Sequence, residues 1–100
     1  KTLRCPTNFP SGPVLGAAFN RTLVSETANA IGKELRVLVR HNGDVVMPSL
    51  DCWGPVINLN RDPRWGRVGE SGGLEDAYAM GEYAAAWTAG FQSPRPSLLV

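Results

Sequence analysis

Two stretches of the chain carry apolar residues at the three- and four-residue spacing of an amphipathic helix. In the first, Asn20 stands where a helix-capping residue would, and the positions that follow predict a helix from about Arg21 to Val39, ending before the turn-forming pair Asn42-Gly43. The second stretch predicts a helix over roughly Glu75 to Phe91, with acidic residues in its first turn, where the helix dipole favours them. The apolar faces comprise Leu23, Val24, Thr27, Ala28, Ile31, Leu35 and Leu38 in the first helix, and Met80, Tyr83, Ala84, Trp87 and Phe91 in the second.

Shorter apolar runs lie before, between and after the predicted helices. Arg4 to Phe9 is typical of a short strand, Val56 to Leu59 predicts a strand covered on both faces, and Leu98 to Val100 begins a third run. Strands that alternate with helices predict an α/β fold with a parallel sheet. A complete (β/α)8 TIM-type barrel takes about 250 residues, so we expect this chain to be a fragment holding about two to three of the β/α units of an incomplete barrel.

The composition fits a folded domain and excludes several kinds of partner. Hydrophobic residues make up 43% of the chain and charged residues 19%, a balance that can support a core. Ten cationic side chains face nine anionic ones, so the basic field of a nucleic-acid-binding protein is absent. No apolar run reaches the ~20 residues that a membrane-spanning helix needs. We therefore expect no nucleic-acid partner and no membrane partner.

The cysteines, the histidine and one asparagine are interpreted as structural residues. Cys5 and Cys52 are too few for a disulfide-rich miniprotein or a zinc site, and we favour two unpaired thiols, with a Cys5–Cys52 disulfide as the alternative. His41 falls at a predicted helix end and is interpreted as a cap or surface residue. Asn20-Arg21-Thr22 has the form of an N-glycosylation acceptor, but we favour the capping role for Asn20.

Most of the candidate chemistry lies between the second predicted strand and the second predicted helix. Residues Arg61 to Gly73 show no hydrophobic period and combine Arg, Asp, Glu, Trp, Gly and Pro. A loop that follows a parallel strand lies at the carboxyl end of the sheet, where (β/α) barrels build their active sites. Arginines at every third position could line a phosphate-binding helix, but the proline and glycine between them interrupt such a helix. The GxxxxGK[ST] phosphate-binding motif is absent.

The run Asn60 to Arg67, NRDPRWGR, closely resembles the signature of glycoside hydrolase family 3. That family contains β-glucosidases, β-xylosidases and related exo-acting enzymes. Further blocks resemble the family's patterns and follow the family's order, so the resemblance covers nearly the whole chain. These blocks are Thr7-Asn8-Phe9-Pro10, Ala17-Ala18-Phe19-Asn20, Ile31-Gly32-Lys33-Glu34-Leu35-Arg36 and Trp53-Gly54-Pro55-Val56-Ile57-Asn58.

The resemblance implies that residues 1–100 form part of the family's N-terminal (β/α) barrel domain. The whole protein would be a retaining, exo-acting β-glycosidase that hydrolyses terminal non-reducing β-D-xylosyl or β-D-glucosyl residues, with no metal or other cofactor. Its partner would be an oligosaccharide or β-glycoside substrate, and a secreted or vacuolar-type compartment is favoured. The alternative is a non-catalytic carbohydrate-binding or pseudo-enzyme barrel protein.

Within the loop, the resemblance assigns substrate binding to Arg67, whose planar guanidinium would donate hydrogen bonds to hydroxyls of the terminal sugar. Glu70 would hold Arg67 and the loop, and the remaining residues that would support the loop are Asp62, Arg61, Arg64 and Trp65. From the residues alone, Asp62 and Glu70 could also form an acid/base pair. The family's nucleophile and acid/base lie farther along the chain, however, so the resemblance implies no catalytic residue within these 100 residues.

Overall fold

The computed structural model describes residues 6–42 and 51–93, and within these ranges the chain is mostly helical. Helix α1 spans Gly12–Ala17, α2 spans Arg21–Asn42 and α3 spans Ala77–Gln92. A short 3₁₀ helix, Val68–Glu70, lies in the long connection between α2 and α3. No helix in these ranges is long and apolar enough to cross a membrane. The third predicted apolar run and Cys5 lie outside the described residues.

Helix α2 begins at the residue that the sequence predicts. The Asn20 side-chain Oδ1 accepts a hydrogen bond from the backbone N–H of Leu23 at 3.1 Å, and the Asn20 carbonyl accepts one from Val24 at 3.1 Å. The side chain therefore satisfies a donor that the first turn of a helix otherwise leaves without a partner. The predicted end is less accurate, because α2 continues past Val39 and ends at Asn42.

Helix α3 starts later than predicted because Asp76 caps the helix instead of belonging to its first turn. The Asp76 carboxylate accepts a hydrogen bond from the backbone N–H of Ala79 at 2.7 Å. The predicted apolar face points inward, with Met80 and Tyr83 buried. Near the end of α3, the Trp87 and Phe91 rings stack with their centroids 4.6 Å apart.

Glycines let α2 and α3 approach each other closely. A Cβ on Gly90 would lie 2.1 Å from the carbonyl oxygen of Ser25, and a Cβ on Gly32 would lie 2.7 Å from that of Phe91. These distances are shorter than any real carbon–oxygen contact, so a side chain at either position would force the helices apart. The helix interface thus depends on backbone-to-backbone contact.

The two long helices run in the same general direction. Arg21, in the first turn of α2, forms an ion pair with Glu82 in the first half of α3. Gly32, farther along α2, reaches the backbone of Phe91 near the end of α3. Consecutive helices of β/α units share such a direction, because each returns the chain to the start of the next parallel strand.

Two buried clusters form the core. The first joins all three helices to Leu74, which ends the long connection, and its other members are Leu15, Val24, Met80 and Tyr83. The second contains Ala28 and Phe91, with partly buried apolar side chains packed around them, Cys52 included. The first cluster therefore fixes the chain immediately after the loop that carries the candidate chemistry.

The first predicted strand is wrong in the described residues, and a helix was missed. Residues 6–11 are irregular, and α1 follows where Pro10, Gly12 and Pro13 were expected to mark only a strand end. Pro13 lies in the first turn of α1, where its fixed φ suits a helix and its lack of an N–H costs no hydrogen bond. A Cβ on Gly16 would lie 1.8 Å from the carbonyl oxygen of Gly72, so α1 lies directly against the chain that follows the loop.

The second predicted strand is also not formed in the described residues. Val56 makes one isolated parallel bridge to Ser71, and no ladder of hydrogen bonds extends it. Ile57, expected to be covered on both faces, is half exposed. A parallel strand needs an evenly spaced row of hydrogen bonds from a neighbour. No strand of the expected α/β sheet is therefore formed in the described residues, and the Val56–Ser71 pair is an isolated parallel bridge in a mostly helical segment.

The close helix crossing predicts the effect of adding one methyl group. In the full-length protein, Gly90→Ala should lower the free energy of unfolding by about 1–3 kcal/mol, because the new Cβ meets the Ser25 carbonyl. Gly81→Ala is the matched control on the same helix, since its Cβ would meet nothing within 4 Å apart from the adjoining backbone of α3, and it should be neutral or stabilising by up to ~1 kcal/mol. Urea unfolding followed by circular dichroism measures both, and equal midpoints for the two variants would contradict the crossing.

Candidate functional site

The loop of residues 61–70, which we call the arginine loop, is closed at its base by contacts between the residues on either side of it. The backbone N–H of Asn60 donates to the carbonyl of Leu74 at 3.0 Å. Val56 and Ser71 form the parallel bridge just before and just after the loop. The two ends of the arginine loop are therefore held side by side, and its ten residues project from that base.

The hydroxyl of Ser71 is the centre of this base. It donates to Asn60 Oδ1 at 2.8 Å, accepts from the backbone N–H of Gly73 at 3.1 Å, and lies 3.3 Å from the Val68 carbonyl. Ser71 is fully buried, so its hydrogen bonds replace those that water would otherwise make. Sequence reasoning missed Ser71, because a lone serine beside two glycines lies in no apolar period and in no catalytic motif.

Inside the arginine loop the backbone turns tightly three times. The N–H of Trp65 donates to the Asp62 carbonyl at 3.1 Å, that of Val68 to Trp65 at 3.3 Å, and that of Glu70 to Arg67 at 3.0 Å. Each of these hydrogen bonds joins two residues that are three positions apart, and the last turn forms the short 3₁₀ helix. Arg64 and Arg67 consequently project from different turns of the loop instead of from one helix face.

Asp62 and Arg64 form a two-point ion pair. The Arg64 Nε donates to Asp62 Oδ1 at 3.0 Å and its Nη2 donates to Oδ2 at 2.8 Å, while the Arg64 backbone N–H also donates to Oδ1 at 2.9 Å. These hydrogen bonds lower the pKa of Asp62 and raise that of Arg64. Asp62 is thereby kept ionised, and both of its oxygens are occupied within the loop.

Arg67 and Glu70 form a second ion pair, in which one carboxylate oxygen takes both hydrogen bonds. The Arg67 Nε and Nη2 donate to Glu70 Oε2 at 3.1 Å and 2.9 Å. The side-chain hydrogen bond from Arg67 lowers the pKa of Glu70 below its usual value, and Glu70 raises that of Arg67. The Glu70 pKa is lowered in the folded state. The contribution of this ion pair to the stability of the fold is therefore complete above the usual glutamate pKa of 4.5, and it is lost as the pH falls through the lowered pKa.

Arg67 faces a groove of about 400 Å³ formed with residues 51–58, which we call the Arg67 groove. The fully exposed Trp53 ring and the Asn58 side chain lie along it, as does Cys52, whose thiol pKa is raised by burial and by Asp51. Guanidinium donors beside an aromatic face suit a ring that carries both hydroxyls and apolar C–H faces. The exposure of Trp53 could not be read from its sequence position.

The predicted site residues fall into two groups. Arg67 and Glu70 contact each other, and so do Asp62 and Arg64, but no ion pair joins these two pairs in the described part of the chain. The exposed Arg61 and the half-buried Trp65 lie with Asp62 along a second hollow of about 340 Å³. Across residues 6–42 and 51–93, no group of three or more His, Cys, Asp or Glu side chains is arranged to hold a metal ion.

Residues 1–96 match the model of the glycosyl hydrolase family 3 N-terminal domain, and the chain therefore belongs to this family. It is 39% identical over 94 residues to the "Probable beta-D-xylosidase 6" of Arabidopsis thaliana. The matched region covers 94% of this chain and 11% of that protein. The chain is 46% identical over 77 residues to the "Probable exo-1,4-beta-xylosidase bxlB" of Aspergillus terreus, covering 77% and 9% respectively.

A bacterial relative, the "Xylan 1,4-beta-xylosidase" of Xylanibacter ruminicola, is 37% identical over 94 residues, covering 88% of this chain and 11% of that protein. The chain thus spans about a tenth of the length of the curated relatives it matches. No solved structure gives a significant match to the chain. The family resemblance carried by the NRDPRWGR run is confirmed.

The buried hydroxyl at the base of the arginine loop predicts a stability effect. In the full-length protein, Ser71→Ala should lower the free energy of unfolding by about 1–3 kcal/mol, because Asn60 Oδ1 and the Gly73 N–H lose a buried partner. Ser11→Ala is the matched control, since the exposed Ser11 makes no side-chain capping bond to α1. Both are measured by urea unfolding, and a Ser71→Ala midpoint equal to that of the control would show that the hydroxyl does not support the loop.

Proposed function

We propose that this chain is part of a retaining, exo-acting β-glycosidase that removes terminal β-D-xylosyl residues from the non-reducing end of oligosaccharides or β-glycosides. The observation that carries the proposal is the similarity, at 37–46% identity, to three proteins named as xylosidases. β-D-Glucosyl residues are the second substrate class. They differ from xylosyl residues by one hydroxymethyl group, which a single pocket discriminates only modestly.

Arg67 is the residue proposed to bind the terminal sugar. Two of its five N–H donors are directed at Glu70, which leaves three for hydroxyl groups of a sugar in the Arg67 groove. Glu70 fixes the plane of the guanidinium, so less side-chain entropy is lost when a sugar binds. The side chain of Arg67 is more than half exposed and therefore accessible to a ligand.

The other charged residues of the loop are proposed to support its shape. Arg64 directs its Nε and Nη2 at Asp62, and this pair closes the first turn of the arginine loop. Trp65 is half-buried and lies with the exposed Arg61 along the second hollow. In this assignment these residues act on the sugar only through the position of Arg67.

Residues 1–100 are proposed to form part of a (β/α)8 barrel domain, about two to three of its β/α units. The shared direction of α2 and α3 supports this proposal, as does the parallel sense of the bridge between Val56 and Ser71. The exposed Ile57 lies beside the bridged residue and would be covered by a neighbouring barrel strand. The arginine loop would then lie at the carboxyl end of the barrel strands.

The reaction itself is proposed to use residues outside this chain. A carboxylate would attack the anomeric carbon to form a covalent glycosyl-enzyme, and a second carboxyl group would protonate the leaving oxygen and then activate water. No metal is required for this sequence of steps. The competing class is a barrel protein that keeps the Arg67 groove and binds sugars without hydrolysing them.

The full-length protein tests this function directly. It should hydrolyse a nitrophenyl β-D-xyloside with a higher kcat/KM than the corresponding β-D-glucoside, and proton NMR should detect β-D-xylose as the first-formed product. First-formed α-xylose would overturn retention. Xylose binding without turnover of any aryl glycoside would favour the sugar-binding alternative instead.

Arg67 and Arg64 provide a matched pair of substitutions. Arg67→Ala should lower kcat/KM for the best aryl glycoside by roughly ten- to a hundred-fold, because charge-assisted hydrogen bonds to the sugar are lost. Arg64→Ala should leave kcat/KM within a few-fold of wild type and should mainly lower Tm, because it removes the Asp62 pair. Circular dichroism confirms that both variants fold. Near wild-type kcat/KM for Arg67→Ala would assign Arg67 to loop support alone.

A further inference from the structure

The capping role of Asn20 leaves one of its side-chain atoms unused. The cap is made by oxygen atoms, since Oδ1 accepts from the Leu23 N–H and the backbone carbonyl accepts from Val24. This orientation of the amide is required, because a backbone N–H can be paired only with the oxygen of the side chain. The amide nitrogen Nδ2 therefore takes no part in the cap. Asn20 itself is exposed at the turn between α1 and α2.

Asn20-Arg21-Thr22 is an N-x-T acceptor sequence, and both Asn20 and Thr22 are exposed. We propose that Asn20 is an N-glycosylation site whose glycan is attached at Nδ2 while Oδ1 continues to cap α2. The two roles, which the sequence presents as alternatives, use different atoms and are compatible in the structure.

The modification is a substitution at the anomeric carbon of a lipid-diphosphate-linked oligosaccharide, the donor class of the eukaryotic secretory pathway. The bond from Nδ2 to that carbon forms, and the bond from the carbon to the diphosphate oxygen breaks. The lipid diphosphate leaves with the bonding electrons, and the displaced amide proton is released to solvent. The product is still an amide, so Oδ1 retains its acceptor strength toward the Leu23 N–H.

A surface that suits the first sugar lies beside Asn20. Phe19 is 78% exposed and Tyr78 is 74% exposed, and both residues line a hollow of about 190 Å³ together with Asn20. The Arg21–Glu82 ion pair lies at the side of this hollow. An N-acetylhexosamine attached to Nδ2 would place an apolar C–H face on these exposed rings, removing aromatic surface from water.

The glycan would not interfere with the candidate active site. The hollow beside Asn20 shares no lining residue with the Arg67 groove among the residues the structure describes. Asn20 belongs to the start of α2, whereas Arg67 belongs to the connection between α2 and α3. Loss of the glycan should therefore leave kcat/KM unchanged, which separates this proposal from the proposed function.

To test the proposal, the full-length protein is secreted from a eukaryotic host and its glycans are released with peptide N-glycosidase in heavy-oxygen water. The peptides are then analysed by mass spectrometry. Asn20 should be converted to labelled aspartate in the wild type and in Thr22→Ser, and in neither Thr22→Ala nor Asn20→Asp. The last variant keeps a carboxylate cap on α2, so it should still fold. An unlabelled Asn20 peptide from the secreted wild-type protein would overturn the site.

A second measurement tests the contact with the aromatic rings. The glycosylated wild type should have a higher Tm than Thr22→Ala, and this difference should shrink at least two-fold in a Phe19→Ala background, a rough expectation from the loss of one of two stacking rings. A Tm difference of the same size in both backgrounds would show that the glycan does not pack on Phe19. Equal kcat/KM for the glycosylated and unglycosylated proteins is expected, and a large loss in Thr22→Ala would overturn the separation of the two sites.

Discussion

The buried hydroxyl of Ser71 is the interaction on which the candidate site most depends. It joins Asn60, which precedes the arginine loop, to Gly73, which follows it. The Ser71 backbone adds the parallel bridge to Val56, and α1 lies so close that a Cβ on Gly12 would be 2.3 Å from the Ser71 carbonyl oxygen. A buried polar group must be paired, so this network permits few arrangements of the loop's two ends.

Around this base, the helices provide a rigid support and the loop provides accessible charge. α2 and α3 contact each other through backbone at Gly32 and Gly90, so their spacing cannot change without breaking the crossing. The loop's own ion pairs are exposed and contribute little to stability. Their effect is orientation: the exposed Arg64 directs its Nε and Nη2 at Asp62, while Arg67 lines the groove and keeps N–H donors that Glu70 does not use.

The sequence predicted the features that depend on local chemistry. The spacing of apolar residues located α2 and α3, and Asn20 marked the start of α2 because its side chain can pair with a free N–H in the first turn. The NRDPRWGR run identified the family, and the resemblance implied that Glu70 would hold Arg67; these two side chains form an ion pair in the structure. The sugar-binding role assigned to Arg67 stays a prediction.

Several features of the site could be known only from the tertiary structure, because they depend on contacts between residues that are distant in sequence. Ser71 has no signal of its own, since its importance comes from Asn60, which lies 11 positions earlier and reaches it only after the loop has closed. Val56 was expected in a strand, but a strand exists only when a neighbouring segment supplies a full row of hydrogen bonds, and Ser71 supplies one bridge. The sequence by itself located α2 and α3 and identified the family, but it did not reveal α1. The packing of α1 on the loop base and the exposed Trp53 face were set by the tertiary structure, because burial depends on which surfaces the rest of the chain covers.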